Sequence, residues 1–99
     1  MAKIIFEINY NIHPEKRDDY LQTIDDLKRN IRETSGSDYS VYENKKNSNN
    51  FTEVFICESE EQFDEIEDNQ SDEAVELTQR LFEDFIKDKK VTYTTMYEI

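Results

Sequence analysis

Lys3-Ile4-Ile5-Phe6-Glu7-Ile8-Asn9-Tyr10-Asn11-Ile12-His13-Pro14 decides how the rest of the chain is read. Ile4, Phe6, Ile8, Tyr10 and Ile12 fall on alternate positions, while Lys3, Glu7, Asn9 and Asn11 share the other face with Ile5. A period of two held over such a run is a β-strand with one dry face. His13-Pro14 ends it. Proline suits the first turn of a helix, where its missing N–H costs nothing, and Glu15 beside it complements the helix dipole.

From Pro14 to about Thr34 the period changes. Tyr20, Ile24, Leu27 and Ile31 recur at helical spacing, with Leu21 beside the stripe and mostly charged residues elsewhere. This predicts an amphipathic helix of about 31 Å, closed by Ser35 and by Gly36 as a left-handed cap. Tyr39, Val41 and Glu43 alternate with Ser40, Tyr42 and Asn44 in a second strand, and Phe51–Glu58 reads as a third. The short polar run from Lys45 to Asn50 joins them as a hairpin. Ser59-Glu60-Glu61-Gln62 is a capping box opening a short helix with Phe63 and Ile66 on its apolar side. Asn69-Gln70 breaks that helix. Ser71 opens another, with a stripe of Ala74, Leu77, Thr78, Leu81, Phe82 and Phe85, and Lys87, Lys89 and Lys90 are expected at its C-terminal end. Val91, Tyr93, Thr95, Tyr97 and Ile99 alternate in a fourth strand.

The order is β-α-β-β-α(broken)-α-β, the split βαβ pattern of an α+β, ferredoxin-like βαββαβ fold. With right-handed crossovers the four-stranded antiparallel sheet takes the spatial order 4-1-3-2, and both helical layers cover one face. Residues 1–99 carry no repeat, linker or low-complexity tract, so one domain is expected. The face opposite the helices should be polar in a monomer. Whichever face is inward, the outward set keeps large apolar groups, among them Ile5 and either Val54 with Ile56 or Phe51 with Phe55. Such a patch predicts a homodimer closed sheet to sheet about a two-fold axis.

Composition bounds the partners. A net charge of −12, from 24 acids and 12 bases, repels phosphate backbones and anionic membranes, so neither nucleic acid nor a membrane is expected as a partner. Cys57 is the only cysteine, which excludes an intrachain disulfide and fits a reducing compartment. No apolar run suits a signal peptide or a membrane span, and the reading is a cytoplasmic protein. The Asn50-Phe51-Thr52 glycosylation pattern would need a secretory route.

Ile8–Pro14 leading into the first helix, Gly36 followed by Tyr39-Ser40-Val41-Tyr42, Asn50-Phe51 opening the third strand, and Ser59–Phe63 starting the second helix together carry a family resemblance. The whole chain resembles the dimeric α/β-barrel proteins grouped with the antibiotic biosynthesis monooxygenases. That resemblance implies a pocket between sheet and helices in each subunit, dimerisation through the other face, and, in several members, chemistry on aromatic or quinone-like compounds without a cofactor. In several members the chemistry relies on Trp or His near the second and third helices. Here there is no Trp, Cys57 and Ile66 stand where such residues often fall, and Leu77 or Thr78 takes the place of the haem-ligating His. Haem degradation is disfavoured.

No motif assigns a catalytic residue. His13, the one histidine, reads as a corner residue, and no metal-ligand spacing or calcium-loop pattern occurs, so neither metal nor cofactor is expected. Cys57 reads first as a small buried strand residue, having no cationic neighbour in sequence to activate it. Tyr10, Tyr93 and Tyr97 alternate with apolar strand residues, where packing is the simpler role. They also suit an inner pocket for an aromatic ligand, with Asn9 or Cys57 as polar contacts. Two readings follow. One is a small-molecule-binding, monooxygenase-like protein with a cavity under the helices. The other is a non-catalytic dimeric module with a filled interior, whose acidic surface binds a protein partner.

Overall fold

The computed structural model describes residues 3–34, 36–68 and 71–99. The break expected at Asn69-Gln70 and the Ser35 end of the first helix lie outside those residues. The elements run β1 (Ile4–Ile12), a 3-10 turn (Pro14–Lys16), α1 (Arg17–Thr34), β2 (Asp38–Glu43), β3 (Asn50–Cys57), α2 (Glu60–Asp68), α3 (Asp72–Arg80), a π-helical turn (Leu81–Phe85) and β4 (Ile86–Tyr97). The four strands form one antiparallel sheet in the order β2-β3-β1-β4, the ferredoxin-like arrangement expected from the element order.

Register settles which face is inward. Ile4 pairs with Cys57, Phe6 with Phe55, Ile8 with Glu53 and Tyr10 with Phe51, so these residues share one face of the central strands. On the outer strands that face continues through Tyr39 and Val41 of β2 and Val91, Tyr93 and Tyr97 of β4. α1 lays Tyr20, Ile24 and Leu27 onto it, and α3 adds Ala74 and Leu77. Burying each large side chain of this kind contributes about 1.5–3 kcal/mol. The opposite face carries Ile5, Glu7, Asn9, Thr52, Val54, Ile56 and Met96, and no described helix covers it.

The local signals act as their chemistry requires. Pro14 starts the 3-10 turn that leads into α1. Gly36 takes φ +65°, and its N–H donates to the Ile31 carbonyl at 3.0 Å, closing the helix. Ser59 Oγ accepts from the Gln62 N–H, while Gln62 Oε1 reaches back to accept from the Glu58 N–H at 2.6 Å. Ser71 Oγ caps α3 by accepting from the Ala74 N–H, and the same hydroxyl donates to Asn30 of α1 at 2.8 Å. Asn30 in turn donates to Glu73 at 2.8 Å, so one buried amide ties the two helices together.

One expectation is corrected. Lys87, Lys89 and Lys90 do not end a helix, and β4 begins at Ile86 rather than Val91. Ile86 is buried and pairs with Ile12, and the His13 N–H donates to the Phe85 carbonyl at 3.0 Å. Burial of Ile86 in the sheet outweighs the small gain from lysines at a helix C-terminus. The extra length is absorbed in a bulge, where Asp88 and Lys89 take φ of 58° and 51°. The π-helical turn lets Leu81 and Phe85 both reach the core.

Candidate functional site

A cavity of about 290 Å³ lies between the sheet and the helices. Its sheet wall is Phe6, Ile8, Tyr10, Glu53, Phe55, Val91 and Tyr93. Its helical wall is Leu27 and Ile31 of α1, Glu65 and Ile66 of α2, Ala74 and Thr78 of α3, and Leu81 and Phe82 of the π-helical turn. Tyr93, 64 % exposed, and Phe82, 41 % exposed, mark the mouth. Aromatic rings organise this wall. Phe6 and Tyr93 stack at 6.1 Å with planes 8° apart, and Phe63 of α2 meets Phe6 edge-on at 5.6 Å.

Glu53 is the chemical centre of the cavity. It sits on the central strand β3 with its neighbours Ile8 and Val41 to either side, and it is only 7 % exposed. The Tyr39 hydroxyl donates to Glu53 Oε1 at 2.6 Å, and the Tyr10 hydroxyl gives a second stabilising interaction. Tyr10 and Tyr20 join hydroxyl to hydroxyl at 2.8 Å. Burial pushes the carboxyl of Glu53 above its ordinary range, and the two tyrosine hydroxyls only partly oppose this. The phenols of Tyr10, Tyr20 and Tyr39 are pushed up as well, by burial before all else and with the charge of Glu53 adding to it. Tyr39 and Tyr10 therefore stay neutral and serve the acid as hydrogen-bonding groups, with Tyr20 behind them as the partner of Tyr10.

The residues singled out from the sequence do not all meet here. Tyr10 and Tyr93 line the cavity, one deep and one at the mouth. Asn9 points to the opposite face of the sheet, where its amide donates to Asn50 and Thr52 at 2.9 Å each. Cys57 packs behind the wall residue Phe55 with Ile4 and does not itself line the cavity, and burial pushes its thiol up, away from the reactive thiolate. Tyr97 shares the inward face, yet it is 60 % exposed and its hydroxyl donates to Glu60 at 3.2 Å. Glu53 was missed. The available signal was an acid set between Phe51, Phe55 and Cys57 on one face of β3, where the alternation calls for an apolar residue.

Outside the cavity, Arg17 grips both carboxylate oxygens of Glu43, with Nη2 at 2.7 Å from Oε1, and lies 5.6 Å over the Phe51 ring. The Arg17 contact and the Asn49 N–H hold the Glu43 carboxyl down at about 2. Among the described residues no group of three or more His, Cys, Asp or Glu is placed to hold a metal ion. Among them, too, no helix is long and apolar enough to cross a membrane.

This fold recurs in known structures. A conserved protein from Methanosarcina mazei aligns over 100 % of this chain and 95 % of its own, with a TM-score of 0.83 at 22 % identity. A structure described as an antibiotic biosynthesis monooxygenase aligns over 100 % of this chain and 99 % of its own, with a TM-score of 0.76 at 17 % identity. A Caulobacter crescentus protein, provisionally described in the same terms, aligns over 99 % and 91 % with a TM-score of 0.80 at 10 % identity. No protein-family model and no curated protein sequence matches the chain. The chain has the fold of the antibiotic biosynthesis monooxygenase-like proteins, in line with the resemblance carried by its sequence.

Proposed function

We propose that this protein binds a small aromatic or quinone-like compound in the cavity beneath its helices, in the manner of the cofactor-independent monooxygenase-like proteins whose fold it shares. The carrying observation is the cavity itself, about 290 Å³ with Phe6, Phe55 and Tyr93 on its wall. Flat apolar ligands match such a wall by stacking, and a few inward polar groups set their orientation. In this reading Tyr10 and Tyr93 contact the ligand, Tyr97 stands outside the pocket, and Glu53 takes the place of Asn9 or Cys57 as the polar contact. A filled interior would have favoured the acidic interaction module, and the open volume favours ligand binding.

The protein acts as a homodimer in this reading, with Ile5, Val54, Ile56 and Met96 of the uncovered sheet face against a second copy. Titration calorimetry with naphthol tests the pocket. Thr78 is exposed yet lines the cavity, so Thr78→Trp plugs the volume without disturbing the core. Naphthol should bind the native protein and fail to bind Thr78→Trp. Equal binding to both would overturn the assignment. Sedimentation of Ile56→Lys should show a monomer where the native chain shows a dimer, and an unchanged sedimentation rate would remove the dimer.

A further inference from the structure

We propose that the cavity selects an apolar, ring-bearing ligand that carries a protonated amine, and that the Glu53 carboxylate receives the ammonium group. The inference rests on the pocket reading above and narrows its ligand class.

The first ground is an imbalance of charge. Glu53 and Glu65 line the cavity, and no Lys, Arg or His is among its described lining residues. No described cationic side chain forms an ion pair with Glu53, although ion pairs form elsewhere, at Lys3, His13, Arg17 and Arg29. A buried acid ordinarily meets a cation or a metal, or else holds a proton. Here the acid sits on the middle of the sheet, facing the cavity, with phenol hydroxyls as its partners. A carboxylate has about four lone-pair sites, so Tyr39 and Tyr10 leave acceptor capacity for a ligand.

The second ground is the wall. An ammonium group beside Glu53 would lie among Phe6, Phe55 and Tyr10, whose ring faces attract cations. A net charge of −12 raises the local concentration of cations and lowers that of anions. A neutral hydroxyl needs no carboxylate, since the tyrosines alone could receive it. An anionic ligand would meet two acids and no counter-charge.

Binding also moves a proton. The groups facing Glu53 are Tyr39 of β2, Tyr10 of β1 and, through Tyr10, Tyr20 of α1, and the exposed Glu65 of α2 also lines the cavity. Burial favours the protonated acid in the empty cavity. An arriving ammonium favours the carboxylate, and the displaced proton leaves to solvent.

The test uses three ligands of one shape, naphthylmethylamine, naphthylmethanol and naphthoate, titrated calorimetrically into the full chain at neutral pH. The amine should bind at least ~10-fold tighter than the alcohol, the scale of one desolvated cation–π contact with a facing charge, and naphthoate should be weakest. Glu53→Gln should lose the preference for the amine, read against the alcohol titrated into the same variant. Glu65→Gln should keep it. In the native chain the preference should survive high salt, because a buried pair is poorly screened. An alcohol that binds as tightly as the amine overturns the inference and leaves the aromatic pocket standing. So does a preference that survives Glu53→Gln, disappears in Glu65→Gln or vanishes in salt. Failure of all three ligands to bind overturns the pocket reading and this inference with it.

Discussion

Replacing Glu53 by Gln keeps the shape of the side chain and removes its titration, which makes it the sharpest probe of the buried acid. In the native fold the carboxyl is 7 % exposed, and burial raises its proton affinity above that of the unfolded chain, whose reference value is 4.5. The sign follows from linkage. A carboxyl raised on folding stabilises the native state fully below the unfolded value, and that contribution is lost as pH climbs through the folded value. Tyr39 and Tyr10 offset part of the cost of the ionised form, and the remainder is expected to be on the order of 1–3 kcal/mol, as for an imperfectly compensated buried polar group. The substituted amide does not titrate and makes no such contribution. It shifts stability by a constant at most, and a constant does not vary with pH. Urea or thermal unfolding of both proteins across mildly acid to mildly basic pH should show Glu53→Gln gaining on the native chain above about 4.5. For a domain of this size each kcal/mol moves the melting temperature by about 4–8 °C. A difference between the two proteins that stays flat with pH, or shrinks as pH rises, would refute the account of Glu53.

Glu43 should show the opposite sign. Its carboxyl is held down at about 2, so the Arg17 clamp contributes above 4.5 and is lost as pH falls toward 2. The pair is solvent-exposed, so Glu43→Gln should cost at most about 1 kcal/mol near neutrality and flatten the acid limb of the unfolding curve. Leu27→Ala removes a buried side chain that also forms part of the cavity wall. It should destabilise by about 2–5 kcal/mol in urea titration and enlarge the ligand volume. Asn30→Ala cuts the link between Ser71 and Glu73 and should cost roughly 1–2 kcal/mol, with faster amide hydrogen exchange at the start of α3.

Much of the fold was legible because local patterns and global packing agree here. The alternation from Ile4 to Ile12 named a strand, the stripe Tyr20-Ile24-Leu27-Ile31 named a helix, and Gly36 and Ser71 marked boundaries that the backbone observes. The misreading at Lys87–Lys90 arose where two local signals competed. A helical stripe through Phe85 and a basic end both point to a helix, but only the pairing of Ile86 with Ile12 reveals the strand. That pairing joins residues far apart in the chain, so no window of sequence contains it.

The site divides in the same way. By itself the sequence determined the order of elements, the antiparallel sheet they form, the acidic charge, and the alternation that sets Tyr10 with the apolar side of its strand and Tyr93 with that of its own. These follow from periods of two and from helical spacing, which act within one element. Tertiary structure decided which face of β3 is inward, because strand register sets it and β3 is apolar on both sides. Once Phe51 and Phe55 faced the helices, Glu53 had to face them too. The same choice turned Asn9 outward and brought Tyr10, Tyr20 and Tyr39, from three separate elements, around one carboxyl. A charge in the interior is visible in sequence only as an exception to a pattern. Its meaning comes from the cavity that packing leaves beside it.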